Sequence, residues 1–241
     1  MSEPVLSVRG VRKRFDTLIA VADVDLDVGR GEKLGIIGPN GSGKTTLINC
    51  ITGVLRPERG RIIFEGVDVS RMPTYRRARA GIARSFQIPR PFVGMSVVEN
   101  LLVPLDYVES KEEGIARAHA ILASVGLQSR AGDPAESLSH LELRKLELAR
   151  ALAAAPRLLI ADEVMAGLSE PEIDEMLDIL FELNALGVTI IMIEHIMHAI
   201  TRFSERLVCM ETGRIIANGK PQEVARNPEV RRVYFGKQAG R

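Results

Sequence analysis

The chain of 241 residues carries no excess of charge of either sign: 32 basic side chains against 31 acidic ones leave a formal charge of +1. That balance excludes the broad positive field that draws proteins onto nucleic acid through phosphate neutralisation, so no nucleic-acid partner is expected. Cysteine is scarce. Cys50 and Cys209 are the only two, far apart and without CxxC or zinc spacing, which fits a reducing compartment and ordinary buried thiols. Long apolar runs are missing as well. Residues 151–161 come nearest and are cut by Pro156 and Arg157, so no membrane-spanning helix is expected. The opening stretch holds Arg9, Arg12, Lys13 and Arg14 with no apolar segment behind them, unlike a signal peptide. There is no internal repeat and no low-complexity tract. What is present is globular composition, 46% hydrophobic and 26% charged. The length is about one and a half times the usual domain, enough for one large domain or a domain with a lobe. A chain of this size buries roughly 70% of its unfolded surface without needing disulfides or metals.

Residues 5–28 alternate as antiparallel strands do, most plainly in Val24-Asp25-Leu26-Asp27-Val28, with one apolar and one acidic face. Residues 33–37 form a short buried strand that runs into a glycine cluster and then the helical Thr46-Leu47-Ile48-Asn49-Cys50-Ile51. Residues 60–69 resume as strand around a Glu65-Gly66 turn. Residues 71–90 then hold six arginines and no acid, read here as a solvated face. A chiefly helical stretch follows to residue 155. Within it residues 111–125 are amphipathic, with Ile115, Ile121 and Leu122 expected inward and Gly126 as the stop, and a second helix carries Leu141, Leu148 and Leu152 on one stripe. The last third alternates again. Residues 158–161 are a buried strand, Ser169-Glu170-Pro171-Glu172 opens a helix that Gly187 ends, residues 188–193 are strand, and residues 206–219 a hairpin. Strands separated by helices predict a parallel sheet, with the N-terminal antiparallel strands appended to it.

Gly38-Pro39-Asn40-Gly41-Ser42-Gly43-Lys44-Thr45 matches the phosphate-binding loop in full and lies between a predicted strand and a predicted helix. Its glycines let successive N–H groups point at phosphate oxygens, and the helix beyond adds its positive end. Lys44 would bridge the outer phosphates, and the Thr45 hydroxyl would bind magnesium. Further on, Asp162 and Glu163 end a buried strand. Asp162 would hold magnesium and Glu163 would polarise the attacking water for in-line hydrolysis. The guanine-reading Asn-Lys-x-Asp pattern is absent, which leaves ATP as the nucleotide.

With these motifs, Gln87 after Ser85-Phe86 and His195 at the end of a strand make the chain resemble the ATP-binding subunit of an ABC transporter over essentially its whole length. The resemblance implies an α/β fold: a P-loop NTPase (RecA-like) core with an N-terminal antiparallel β portion and an inserted helical lobe. Residues 1–86 and 156–241 would form the core and residues 87–155 the lobe of a single domain. It implies that Phe15 stacks on adenine with Val21 alongside, and that Gly38, Pro39, Asn40, Gly41, Ser42, Gly43, Lys44, Thr45 and the adjoining Thr46 surround the nucleotide. Gln87 would join Thr45 and Asp162 on the metal and sense the membrane partner, and His195 would bond the γ-phosphate beside the catalytic Glu163 and Lys44. Arg84-Ser85-Phe86-Gln87, Val97-Val98-Glu99-Asn100-Leu101, Ile193-Glu194-His195 and Asn227-Pro228-Glu229-Val230 are similar to the subunits that energise branched-chain amino acid uptake. That implies transmembrane permeases, a second ATP-binding subunit and, indirectly, a solute-binding protein as partners, at the cytoplasmic face of a membrane. Pro89-Arg90-Pro91-Phe92 falls where that family docks its membrane subunits.

One motif departs from the family. Its Leu-Ser-Gly-Gly-Gln signature reads Leu138-Ser139-His140-Leu141-Glu142 here, which keeps the Ser139 hydroxyl for a partner's γ-phosphate but sets Glu142 where its charge would oppose a polyphosphate. Loss of one preorganised donor costs on the order of 10²–10³ in rate, so slowed turnover is expected. The alternative is a nucleotide-binding regulatory subunit with weak ATPase activity.

Overall fold

Two sheets and a set of helices build the computed structural model, which describes residues 3–85, 89–106 and 111–235. β1 (Leu6–Phe15) and β2 (Leu18–Val28) pair antiparallel, Leu6 with Val28 and Val8 with Leu26, so the alternating apolar residues share the inner face. β3 (Lys33–Ile37) leads through residues 38–43 into α1 (Lys44–Thr52). β4 (Arg59–Phe64) returns beside β1, and β5 (Val67–Asp68) follows the Glu65-Gly66 turn, closing a sheet of order β2-β1-β4-β5. α2 (Thr74–Arg79) and β6 (Ile82–Ser85) come next.

The helical segment contains α3 (Val97–Leu105), α4 (Lys111–Ser124) and α5 (His140–Leu152). Ser96 and Glu99 form the capping box that starts α3. On α4 the inward residues are Gly114, Ala118 and Leu122, followed by Val125; Ile115 points to solvent, 40% exposed. The expectation for Ile115 fails because small residues at a spacing of four form the buried stripe, and their size brings α4 close to its neighbours. Leu141 is half-buried, whereas Leu148 and Leu152 are buried.

β7 (Leu158–Asp162) is buried at every position, as is β8 (Thr189–Ile193), with α6 (Glu170–Ala185) between them. α7 (Met197–Phe203), β9 (Arg206–Glu211), β10 (Arg214–Gly219), α8 (Pro221–Arg226) and α9 (Pro228–Phe235) complete the described chain. The larger sheet has the order β10-β9-β3-β8-β7-β6, parallel from β9 to β6, with β10 antiparallel at its edge. Its core is continuous with the helical segment: Leu101, Leu122, Leu146 and Leu148 join Ile37, Leu159 and Ile190 in one apolar cluster. A second cluster packs the smaller sheet and α1 onto the opposite face through Leu34, Ile36, Leu47, Ile51 and Ile160. No helix among the described residues is long and apolar enough to cross a membrane.

Candidate active site

Three strands of the larger sheet finish at one edge. β3 runs into residues 38–45, β7 ends in Asp162 with Glu163 next, and β8, lying between them, is followed directly by Glu194 and His195. Parallel strands place their carboxyl ends on the same side, so the topology itself gathers the predicted phosphate loop, carboxylates and histidine.

The loop is held from behind by backbone. At Gly38 (φ 154°) a Cβ would lie 2.3 Å from the Met210 carbonyl oxygen, and at Gly43 (φ 102°) 2.2 Å from that of Ala20, so β9 and β2 close on the loop and only glycine fits. The Gly213 N–H donates to the Ser42 carbonyl at 2.8 Å and fastens the loop to the β9–β10 turn. Lys44 is buried, and its Nζ donates to the carbonyls of Gly38 (2.6 Å) and Pro39 (3.1 Å). Burial pulls its ammonium below the ordinary lysine value, against the carboxylates of Glu163 and Asp162, which favour its charge. The Ser42 hydroxyl is buried with no hydrogen-bond partner among the described residues. Asn40, Gly41 and Thr45 are exposed, while Pro39 and Thr46 are half-buried.

Across the sheet edge, Asp162 accepts from Arg84 Nη2 at 2.5 Å, and Arg84 Nη1 donates to Asn49 on α1 at 2.7 Å. Glu163 has φ 50°, left-handed backbone that an L side chain adopts only under constraint. The constraint is visible: its N–H donates to the Ile193 carbonyl at 2.9 Å, locking the end of β7 to the end of β8. That turn sets Glu163 Oε1 3.0 Å from His195 Nε2. Beneath them Glu194 is buried and accepts the Met165 N–H at 2.9 Å; burial pushes its carboxyl up to about 7.

Ser139 begins α5. Its hydroxyl accepts the Glu142 N–H at 3.3 Å, and its own N–H donates to Glu142 Oε2 at 2.8 Å. This geometry moderates the expected repulsion between Glu142 and a polyphosphate without removing it. The carboxylate turns back onto the helix start, where it accepts from Arg130 Nη1 at 2.9 Å, a guanidinium it shares with Asp133, and the Ser139 N–H holds its carboxyl below the usual range. The start of α5 lies against the loop after Glu163. A Cβ at Gly167 would meet the His140 ring at 2.9 Å, and Arg144 donates to the Ala166 carbonyl at 3.0 Å.

Phe15, near the β1–β2 turn, is 43% exposed with Lys13 Nζ 5.4 Å from its ring centroid, so it offers a face for stacking. Val21 does not. It is wholly buried in the core of the smaller sheet, because β2 turns it inward beneath the β9–β10 turn, and it presents no surface to a base. Gln87 lies outside the described residues. The reading of residues 71–90 as a solvated face also needs correction, since Arg77 and Arg84 are both internal anchors. Phe92 is partly exposed, with the Arg150 guanidinium 4.5 Å from its ring centroid and its N–H donated to Asn100 Oδ1 at 2.7 Å.

Sequence reasoning missed Arg84, Glu194 and Tyr234. Tyr234 on α9 accepts the Gly38 N–H at 2.5 Å from almost two hundred residues away, which no local pattern announces. Arg84 and Glu194 each stand in a quoted motif, but only the fold shows what they touch.

The family model of ABC transporters matches residues 21–166, and that of the branched-chain amino acid ATP-binding cassette transporters matches residues 214–240. The chain is 36% identical to the high-affinity branched-chain amino acid transport ATP-binding protein LivG of Escherichia coli K12, with 98% of this chain and 99% of that protein covered. It is 35% identical to BraF of Pseudomonas aeruginosa, a protein of the same description, over 98% and 99% of the two chains. Among solved structures, the ADP conformation of an ATP-binding cassette of an ABC transporter superposes with a TM-score of 0.90 at 32% identity, covering 98% of this chain and all of the other. With the phosphate loop, the carboxylate pair and the histidine converging on one sheet edge, the chain belongs to the ABC transporter family, as one of its ATP-binding cassettes.

Proposed function

We propose that the chain binds ATP with magnesium at residues 38–45 and hydrolyses it to power uptake of branched-chain or related amino acids. The observation that carries this reading is the Glu163–His195 pair, 3.0 Å apart and set by strained backbone at the same sheet edge as the buried Lys44. The buried, unpartnered Ser42 hydroxyl and the loop wrapped around the N-terminus of α1 suit a phosphate group. Thr45, Asp162 and Gln87 are the residues that would hold magnesium, a cation that keeps few protein ligands and shares the phosphate oxygens. When bound, it supplies Lewis-acid charge neutralisation at the phosphates.

In this scheme Lys44 leaves its two carbonyl partners for the outer phosphate oxygens. Glu163 accepts a hydrogen bond from a water aligned with the terminal phosphorus. The water oxygen forms the new P–O bond as the bond to the β–γ bridging oxygen breaks; Glu163 takes the water's proton, and ADP leaves with inorganic phosphate. His195 donates to the γ-phosphate and steadies Glu163. Phe15 stacks on adenine. Residues 87–155 act as the lobe that contacts the permeases, with Phe92 in the contact, and two ATP-binding subunits close head to tail so that Ser139 reaches the partner's nucleotide. The cassette then works peripherally on the cytoplasmic face, with a solute-binding protein delivering cargo from the other side. The regulatory alternative is not favoured by the relatives, which are described as transport ATP-binding proteins.

Glu163→Gln tests the chemistry. It should keep ATP affinity, lower turnover by at least about 10²-fold and accumulate as an ATP-bound dimer. Hydrolysis at the wild-type rate, or no calorimetric heat with MgATP, overturns the site. The solute is tested separately: deleting the gene should abolish uptake of labelled leucine, isoleucine or valine, and unchanged uptake of all three removes that part of the reading.

A further inference from the structure

The first glycine of the phosphate loop is gripped on both sides of its residue. Its carbonyl takes Lys44 Nζ at 2.6 Å, from inside the loop, and its N–H donates to the Tyr234 hydroxyl at 2.5 Å, from the C-terminal helix α9. A side chain at Gly38 would clash with Met210 and Ser42, so the position takes only glycine. α9 is docked firmly enough to serve as an anchor. Val230 is buried in the main apolar cluster, the Tyr234 ring packs against that cluster, and Arg232 pairs with Glu211 at the end of β9 at 3.5 Å.

The geometry points to Tyr234 as a positioning residue that presets the phosphate loop, through the hydrogen bond from Gly38 to its hydroxyl, for the polyphosphate of a nucleoside di- or triphosphate. This rests on the reading of residues 38–45 as the nucleotide loop. A donor left unpaired at Gly38 would let the loop sample other backbone conformations, and the nucleotide would have to select the binding-competent one. The loss would fall on affinity, because the loop's backbone grips phosphate alike before and during bond cleavage.

The test compares full-length wild type with Tyr234→Phe, which keeps the ring's packing and deletes only the hydroxyl. The Kd for MgADP, measured by calorimetry, should rise roughly fivefold, about what one hydrogen bond contributes. The KM for ATP should rise similarly with kcat held within about twofold. Amide hydrogen exchange across residues 36–43, measured without nucleotide, should speed by a like factor while the melting temperature stays within about 2 °C. Val230→Ala is the control. It loosens the packing of α9 and leaves the hydroxyl in place, so it should lower the melting temperature and change the MgADP affinity less than Tyr234→Phe does. Unchanged affinity and exchange in Tyr234→Phe, or equal weakening by Val230→Ala, overturns the assignment. A wild-type chain that fails to bind MgADP would instead sink the loop reading, and the exchange comparison would still decide whether the hydroxyl orders residues 36–43.

Discussion

At the residue scale, two buried carboxylates at the sheet edge sit in opposite surroundings. Asp162 is paired with Arg84, and both side chains are nearly closed to water. Removing only the cation strands a charge, so Arg84→Met should cost about 3 kcal/mol in urea unfolding, and the double variant Arg84→Met with Asp162→Asn should recover much of it. Additive single effects in that cycle would show that the pair is not coupled. Glu194 is held instead by burial and titrates near 7 in the fold against an ordinary value of 4.5. Its folded pKa is raised, so the folded chain binds more protons than the unfolded chain between those values, and Glu194 lowers stability as pH rises through that window. Glu194→Gln keeps an acceptor for the Met165 N–H and removes the titration. The melting temperature of the variant minus that of wild type should therefore grow from pH 5 to pH 8, and a difference that is flat with pH would contradict the assignment.

At the scale of elements, the loop and helices depend on polar anchors that pattern alone does not reveal. Arg77 is the plainest case. Its guanidinium is almost wholly buried and donates to the carbonyls of Cys50 (2.6 Å) and Ile51 (2.8 Å) at the end of α1, and to those of Met72 (2.9 Å) and Ser70 (3.1 Å). It closes the C-terminus of the helix whose other end begins at the phosphate loop, so α1 is pinned at both ends. Arg77→Met leaves several buried acceptors unpaired and should cost on the order of 3 kcal/mol in urea unfolding. A loss below about 1 kcal/mol would mean that water replaces the guanidinium. The charge-rich composition of residues 71–90 suggested solvent, and burial reversed that reading for the two arginines whose fork geometry can satisfy several carbonyls or a carboxylate at once.

At the scale of the whole molecule, what matters is what the chain offers a partner. Its own loop, carboxylates and histidine are intact, whereas the start of α5 carries His140, Leu141 and Glu142 where its family has two glycines and glutamine. The structure partly offsets the Glu142 charge through Arg130, which Asp133 shares, and the bulk of His140 and Leu141 remains at the helix start, the part a partner's nucleotide would approach. The chain should therefore hydrolyse ATP faster when another subunit supplies an unaltered signature, by on the order of 10-fold or more per phosphate loop. Purified chain and chain mixed with its cognate partner subunit, assayed side by side, check this. Equal rates per loop would remove it.

The glycine loop, the acid pair and the alternation of strand and helix were legible in the sequence by themselves, because each is a local pattern: glycine spacing sets backbone freedom, and the period of apolar residues sets which element forms. Lys44, Thr45, Asp162 and Glu163 could be named as site candidates for that reason, and Phe15 and His195 through the resemblance to the family that those motifs carry. Only the tertiary structure decided that Val21 is buried, that Ile115 faces outward, that Glu142 pairs with Arg130, and that Arg84, Glu194 and Tyr234 stand at the same edge as the loop. Those facts depend on strand order and on contacts between segments from 12 to 196 residues apart. Burial and charge pairing belong to the packed chain, and a one-dimensional pattern carries no information about which distant element fills the space beside it.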